Sequence, residues 1–163
     1  MRFKDVPEPP DSLDALADYR RAVPLVPGSE DDCCARLQRR TDVTTRDAAR
    51  TWLTFLRALE LVEETDSGYA RTRADADPDA LADAFRERVL GAREALATLD
   101  EGPTTVDEAF EAVRPAVPQW ERHRNPGTWE AEWRERVQRL LGWAVLLGLI
   151  DRSEHGYERT GRR

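Results

Sequence analysis

Apolar residues recur along the chain first at helical spacing and then in short strand-like runs. From Ser12 to Arg21, Leu13, Leu16, Ala17 and Tyr19 share one face behind a serine cap, which predicts a helix stopped near Pro24. Val26 to Ser29 reads as a turn. Asp31 to Arg40 follows as a short helix carrying Cys34 and Leu37, with basic residues at its carboxyl end, where the helix dipole favours cations. After a tight turn at Thr41–Thr44, Thr44 and Asp47 make a capping-box-like start for a third helix, 44–60. Its buried stripe is Ala48, Ala49, Trp52, Leu53, Leu56 and Leu59. Leu61–Glu64 and Tyr69–Thr72 then read as strands around a turn at Thr65–Gly68.

The pattern returns at a constant offset of 88 residues. Trp52–Thr72 aligns without gaps on Leu140–Thr160. Gly68, Tyr69, Arg71 and Thr72 are repeated as Gly156, Tyr157, Arg159 and Thr160, and Leu53, Leu59 and Leu61 as Leu141, Leu147 and Leu149. Upstream, Ala22-Val23-Pro24 echoes Ala116-Val117-Pro118, with about six residues fewer between the two landmarks in the second copy. The chain therefore reads as a tandem duplication. Between the copies, Arg73–Asp79 is a polar connection. Asp79–Leu99 has Leu81, Phe85, Val89, Ala92 and Leu96 on one face, which predicts one long helix, either a strut between the units or a dimerisation helix.

Helix, short helix, tight turn, longer helix and hairpin resemble a winged helix-turn-helix. Val43–Val62 is similar to that superfamily's recognition-helix segment. Leu147-Gly-Leu-Ile-Asp-Arg152 followed by Gly156-Tyr-Glu-Arg-Thr160 is similar to its ending. Glu60 departs from the pattern, standing where glycine is usual, and the second copy's turn, His123–Thr128, is loose. The resemblance implies a mainly α fold with small β-hairpin wings, two tandem winged helix-turn-helix units joined by a long helix. The expected division is a flexible amino terminus at 1–11, unit 1 at 12–74, a linker helix at 75–102 and a degenerate unit 2 at 103–163.

Charge changes the picture only when divided along the chain. The net charge of −7 argues against nucleic acid. Yet residues 1–32 carry −4, 33–59 carry +4, 60–113 carry −10 and 114–163 carry +3, so the positive segments fall on the two helix-turn-helix stretches. All but one of the 25 basic residues are arginine, the exception being Lys4. On an acidic chain this looks like a halophilic archaeal protein.

In the DNA-binding reading, the winged helix-turn-helix resemblance implies that the third helix enters the major groove of double-stranded DNA with Thr45, Arg46, Arg50, Thr51 and Thr54 outward. Arg36, Arg39 and Arg40 would hold phosphates, and Arg71 and Arg73 would extend from the wing at 61–73. The second copy offers Arg134, Gln138 and Arg139, with Arg159, Arg162 and Arg163 on its wing and tail. Arg46 and Arg50 are the leading base-contact candidates, and a basic face continuous through Arg36, Arg46, Arg50 and Arg71 is what this reading requires. The leading function is a transcriptional regulator.

The alternative is an assembly module that contacts protein rather than DNA, with a homodimer or another protein as partner. An acidic patch at Glu60, Glu63, Glu64 and Asp66 beside the first wing favours it. So do Trp120, Trp129, Trp133 and Trp143 in the second copy and a helix apolar nearly all round at Trp143–Leu147. Cys33 and Cys34 read as small fillers on a helix. His123 and His155 lack a nucleophile or acid at a recognisable spacing, so no enzyme activity, metal or cofactor is expected. With no membrane span and no apolar leader within Met1–Pro10, a cytoplasmic location is expected.

Overall fold

The computed structural model describes residues 2–73 and 76–160; Arg162 and Arg163 lie outside the described residues. In the first half, α1 (Leu13–Ala22), α2 (Glu30–Arg40) and α3 (Arg46–Ala58) precede an antiparallel hairpin of β1 (Val62–Thr65) and β2 (Gly68–Arg71). Each helix starts on a hydroxyl cap that satisfies an otherwise orphaned amide: Ser12 for α1, Ser29 for α2 and Thr45 for α3. The cap of α3 is thus Thr45, one residue later than the capping pattern predicts.

The predicted long helix is broken in two. α4 (Pro78–Arg88) stops at Val89, and α5 (Ala92–Ala97) restarts after Gly91, whose φ is +92°. Gly91 is also held close to Val113 and Leu140, so neither its backbone nor its surroundings suit a continuing helix. α5 packs against α6 (Val106–Val113) and α8 (Trp129–Leu146), so a division at 102/103 cuts through a packed three-helix group. The short α7 (Gln119–Arg124) precedes α8, and the hairpin of β3 (Ile150–Ser153) and β4 (Gly156–Arg159) follows it.

The two halves repeat each other in detail, but not at one offset. Gly28 bridges Tyr69 in the first half as Thr104 bridges Tyr157 in the second. The hairpins are 88 residues apart, whereas the bridge partners are 76 apart. The second copy therefore carries twelve extra residues between α6 and α8, which hold α7 and lengthen the start of α8. The upstream echo is consequently misplaced: Ala116-Val117-Pro118 lies in this insertion, after α6, whereas Ala22-Val23-Pro24 lies before α2.

One continuous apolar core joins the halves. Phe55 and Trp143, equivalent positions of the two copies, pack on each other with ring centroids 4.5 Å apart, and Trp52 meets Trp143 at 5.8 Å.

Residues 2–11 do not form the free tail expected of them. Phe3 and Val6 are buried, and Phe3 exchanges backbone hydrogen bonds with Arg88 and Leu90. Lys4 pairs with the buried Glu121 of α7. The Trp143 indole N–H donates to the Pro7 carbonyl at 2.8 Å, and Pro9 lies on Gly142. This arm covers the part of α8 that is apolar nearly all round. Its anchoring partners lie more than 80 residues away, a separation that local periodicity does not register.

Candidate nucleic-acid interface

The repeated Gly-Tyr-x-Arg-Thr motif makes the same bonds in each copy. A Cβ on Gly68 would stand 2.3 Å from the Gly28 carbonyl oxygen, and one on Gly156 would stand 2.2 Å from that of Thr104. Tyr69 and Tyr157 exchange paired backbone hydrogen bonds with those same residues. Arg71 Nε donates to the Val23 carbonyl at 3.0 Å, and Arg159 Nε donates to that of Leu99 at 3.3 Å. Thr72 and Thr160 donate to the carbonyls of Glu60 and Gly148, the two left-handed residues that end α3 and α8. The motif is thus a clasp that fastens each hairpin to its helices. Arg71, expected to extend toward DNA, turns inward to a carbonyl, whereas Arg159 stays exposed but is committed to the Leu99 carbonyl and to an ion pair with Asp100.

A second duplicated contact concerns the leading base-contact candidate. Arg46 pairs with Asp31 and, at 3.5 Å, with Glu30. Arg134 pairs with Asp107 at 2.8 Å, and both residues are the second-copy equivalents of Arg46 and Asp31. Arg46 therefore pins the start of α3 to the start of α2. Arg50 lies 3.5 Å from Glu30. The segment count gave this stretch +4 because Glu30 and Asp31 fell just outside it; in space they border the same face, their negative charge favoured by the start of α2.

The other candidates divide into committed and free groups. Arg36 Nε donates to the Ala22 carbonyl at 2.7 Å, so it braces α1. The Thr45 hydroxyl caps Ala48. Arg39 and Arg40 are exposed at the end of α2, and neither has an ion pair among the described residues. Arg73 is exposed beyond β2, while Thr51 and Thr54 are half-buried on α3. The basic face through Arg36, Arg46, Arg50 and Arg71 is interrupted at each of its four residues.

On α8 most of the corresponding row is covered. Trp133, at the position of Thr45, is fully buried. Gln138, exposed, takes the place of Arg50. Arg139 donates to the Val6 carbonyl at 3.2 Å and to Glu135 at 3.0 Å. Gly142, in place of Thr54, has room for Pro9 because it lacks a side chain; a Cβ there would stand 2.9 Å from the proline ring. The wings carry acid: Glu63, Glu64 and Asp66 are exposed on the first, and Asp151, Glu154 and Glu158 on the second.

No sequence signal marked Glu121, which is 4% exposed. Burial alone would raise its carboxyl, but hydrogen bonds from Lys4 and from the Trp133 indole (3.1 Å) outweigh that and hold it below the usual carboxylate range. Cys33 and Cys34 are buried on α2, and burial pushes the Cys33 thiol up to about 11. No described helix is long and apolar enough to cross a membrane.

Three-helix groups ending in antiparallel hairpins, bridged by a residue ahead of the second helix, define a winged-helix protein. The whole chain, residues 1–163, matches the model of the halobacterial double winged helix domain, and the protein belongs to that family. No curated protein and no solved structure matches it.

Proposed function

We propose that this protein is a DNA-binding regulator that meets the duplex with the first unit alone, the second unit and the amino-terminal arm serving as its scaffold. The winged-helix family supports the class, and one observation narrows it. Of the two equivalent helices, only α3 leaves its outward row open, whereas the arm and Trp133 cover most of that of α8. Arg39, Arg40 and Arg50 are the cations available to DNA. Giving up the exposed Arg50–Glu30 pair costs at most about 1 kcal/mol, while a well-placed arginine–guanine pair contributes about 1–3 kcal/mol. Arg46 is a positioning residue in this reading, and base readout falls to Arg50, Thr51 and Thr54.

Two phosphate-neutralising arginines, Arg39 and Arg40, give a salt dependence with a slope of about −1.8 on logarithmic axes, so affinity falls about 12-fold between 50 and 200 mM salt. Titration of sheared genomic DNA over a KCl series reads that slope. Absence of binding at every salt concentration overturns the proposal in favour of a protein-interaction module. The acidic wings, with Leu25 (62% exposed) and Val26 (76%) beside the edge of β2, favour that second reading.

A further inference from the structure

The open row of the first unit carries a contact that the second unit lacks. Glu30, the first residue of α2, lies 3.5 Å from Arg50 Nε and 3.5 Å from Arg46. In the second copy the equivalent of Glu30 is Val106, the first residue of α6, and the equivalent of Arg50 is Gln138. Both members of the pair are thus missing together from the unit whose row is mostly covered. The neighbouring pair behaves differently. Asp31–Arg46 is repeated as Asp107–Arg134, so the second and third helices are pinned in both units whether or not Glu30 is there. Holding the fold does not account for Glu30 and Arg50.

Their position does. Both side chains are partly exposed on the row that the DNA reading turns toward the duplex, and Glu30 is the one acid paired with Arg50 among the described residues. A carboxylate there neutralises the guanidinium and sets a negative charge before an approaching phosphate. It thereby withdraws Arg50 from the sequence-independent attraction that dominates non-specific binding. Glu30 meets Arg50 at Nε, which leaves the two terminal nitrogens for the paired acceptors of a guanine edge. Those acceptors carry no net charge, so the carboxylate does not repel them as it repels a phosphate.

We infer, on the DNA reading, that Glu30 is a specificity-determining residue of this interface: paired with Arg50, it keeps that guanidinium off phosphates and reserves it for a base edge. At about 1 M salt the screening length is about 3 Å, so an acid in contact with Arg50 still acts on it while the remoter acids of the wing do not.

The test is a titration of the full chain with a random-sequence duplex from about 50 to 200 mM KCl. The native chain should show the slope of about −1.8 set by Arg39 and Arg40. Glu30→Gln frees Arg50 for a third phosphate. It should bind about three- to fivefold more tightly at the low-salt end, with a slope of about −2.7. Adding Arg50→Gln to Glu30→Gln should restore the native slope and bring affinity to within about twofold of native. Asp32→Asn removes the same charge two positions along α2, from an exposed residue with no ion pair among the described residues, and should leave the slope unchanged. Each chain should keep its thermal midpoint within about 3 °C of native. The inference is overturned if Glu30→Gln binds with native affinity and slope, if the steeper slope survives Arg50→Gln, or if Asp32→Asn steepens it as much. Should the native and Glu30→Gln chains both bind no duplex, the DNA reading falls and this inference with it; should they bind alike, that reading stands and only this inference falls.

Discussion

The two winged-helix units share their fastening and differ in what they leave open. Both clasp the hairpin through Gly-Tyr-x-Arg-Thr, and both pin the third helix to the second through one arginine–aspartate pair. They part at the outward row of that helix, where α3 carries Arg50, Thr51 and Thr54 and α8 carries Gln138, Arg139 and Gly142 beneath the arm. Residues kept in both copies hold the fold, and residues that differ set what each copy faces. The lesson is that an arginine repeated in both units is poor support for a binding role, although its residue type suits one.

The strongest way to break this comparison is to remove the contact on which the two units meet. Trp143→Ala should cost about 3–5 kcal/mol in denaturant unfolding. It deletes a fully buried indole packed on Phe55 and leaves the Pro7 carbonyl without its donor. Phe55→Ala should cost nearly as much, and a loss below 1 kcal/mol in either would show that the halves are held elsewhere.

The clasp comes next. Gly68→Ala and Gly156→Ala each drive a Cβ into a carbonyl oxygen, and both should destabilise by about 2–4 kcal/mol. The two should lose similar amounts, with Gly68 somewhat worse because its φ of +127° adds strain. If one unit tolerates the change, the clasp is not common to both.

The arm distinguishes the units by acid. Glu121 is held below the usual carboxylate range when folded, so its pairing stabilises the protein above the unfolded carboxyl value near 4.3 and is lost as pH falls through the folded value. Glu121→Gln should therefore be less stable than the native chain at neutral pH, and the gap should close on acidification. A gap that widens in acid would contradict the role given to Lys4.

The smallest effect is expected at the end of α3. Glu60 has φ 64° where its counterpart is Gly148, and Glu60→Gly should stabilise by roughly 0.5–1 kcal/mol in a thermal melt.

Much of this was legible in the sequence because it is local or periodic. The helices of the first unit, both hairpins and the 88-residue repeat follow from apolar spacing and turn residues. The roles of the arginines were not legible, since a guanidinium reaches partners far along the chain: Arg71 to Val23, Arg46 to Asp31 and Arg139 to Val6. The arm was missed because Phe3 and Val6 are too few to make a period, and three prolines read as an unstructured start. The break at Val89–Gly91 was hidden by an apolar face that continues across it, the face being shared by two helices rather than one.

The central claim is that the first unit meets DNA and the second does not. DNA affinity over one KCl series should be compared between Arg39→Ala, Arg40→Ala, Arg50→Ala in one chain and Arg134→Ala, Gln138→Ala in another. The account predicts at least a tenfold loss and a salt slope lowered by about two in the first, one for each of the phosphate contacts of Arg39 and Arg40. The second should stay within about twofold of the native chain. Equal losses in the two chains, or a greater loss in the second, would contradict it.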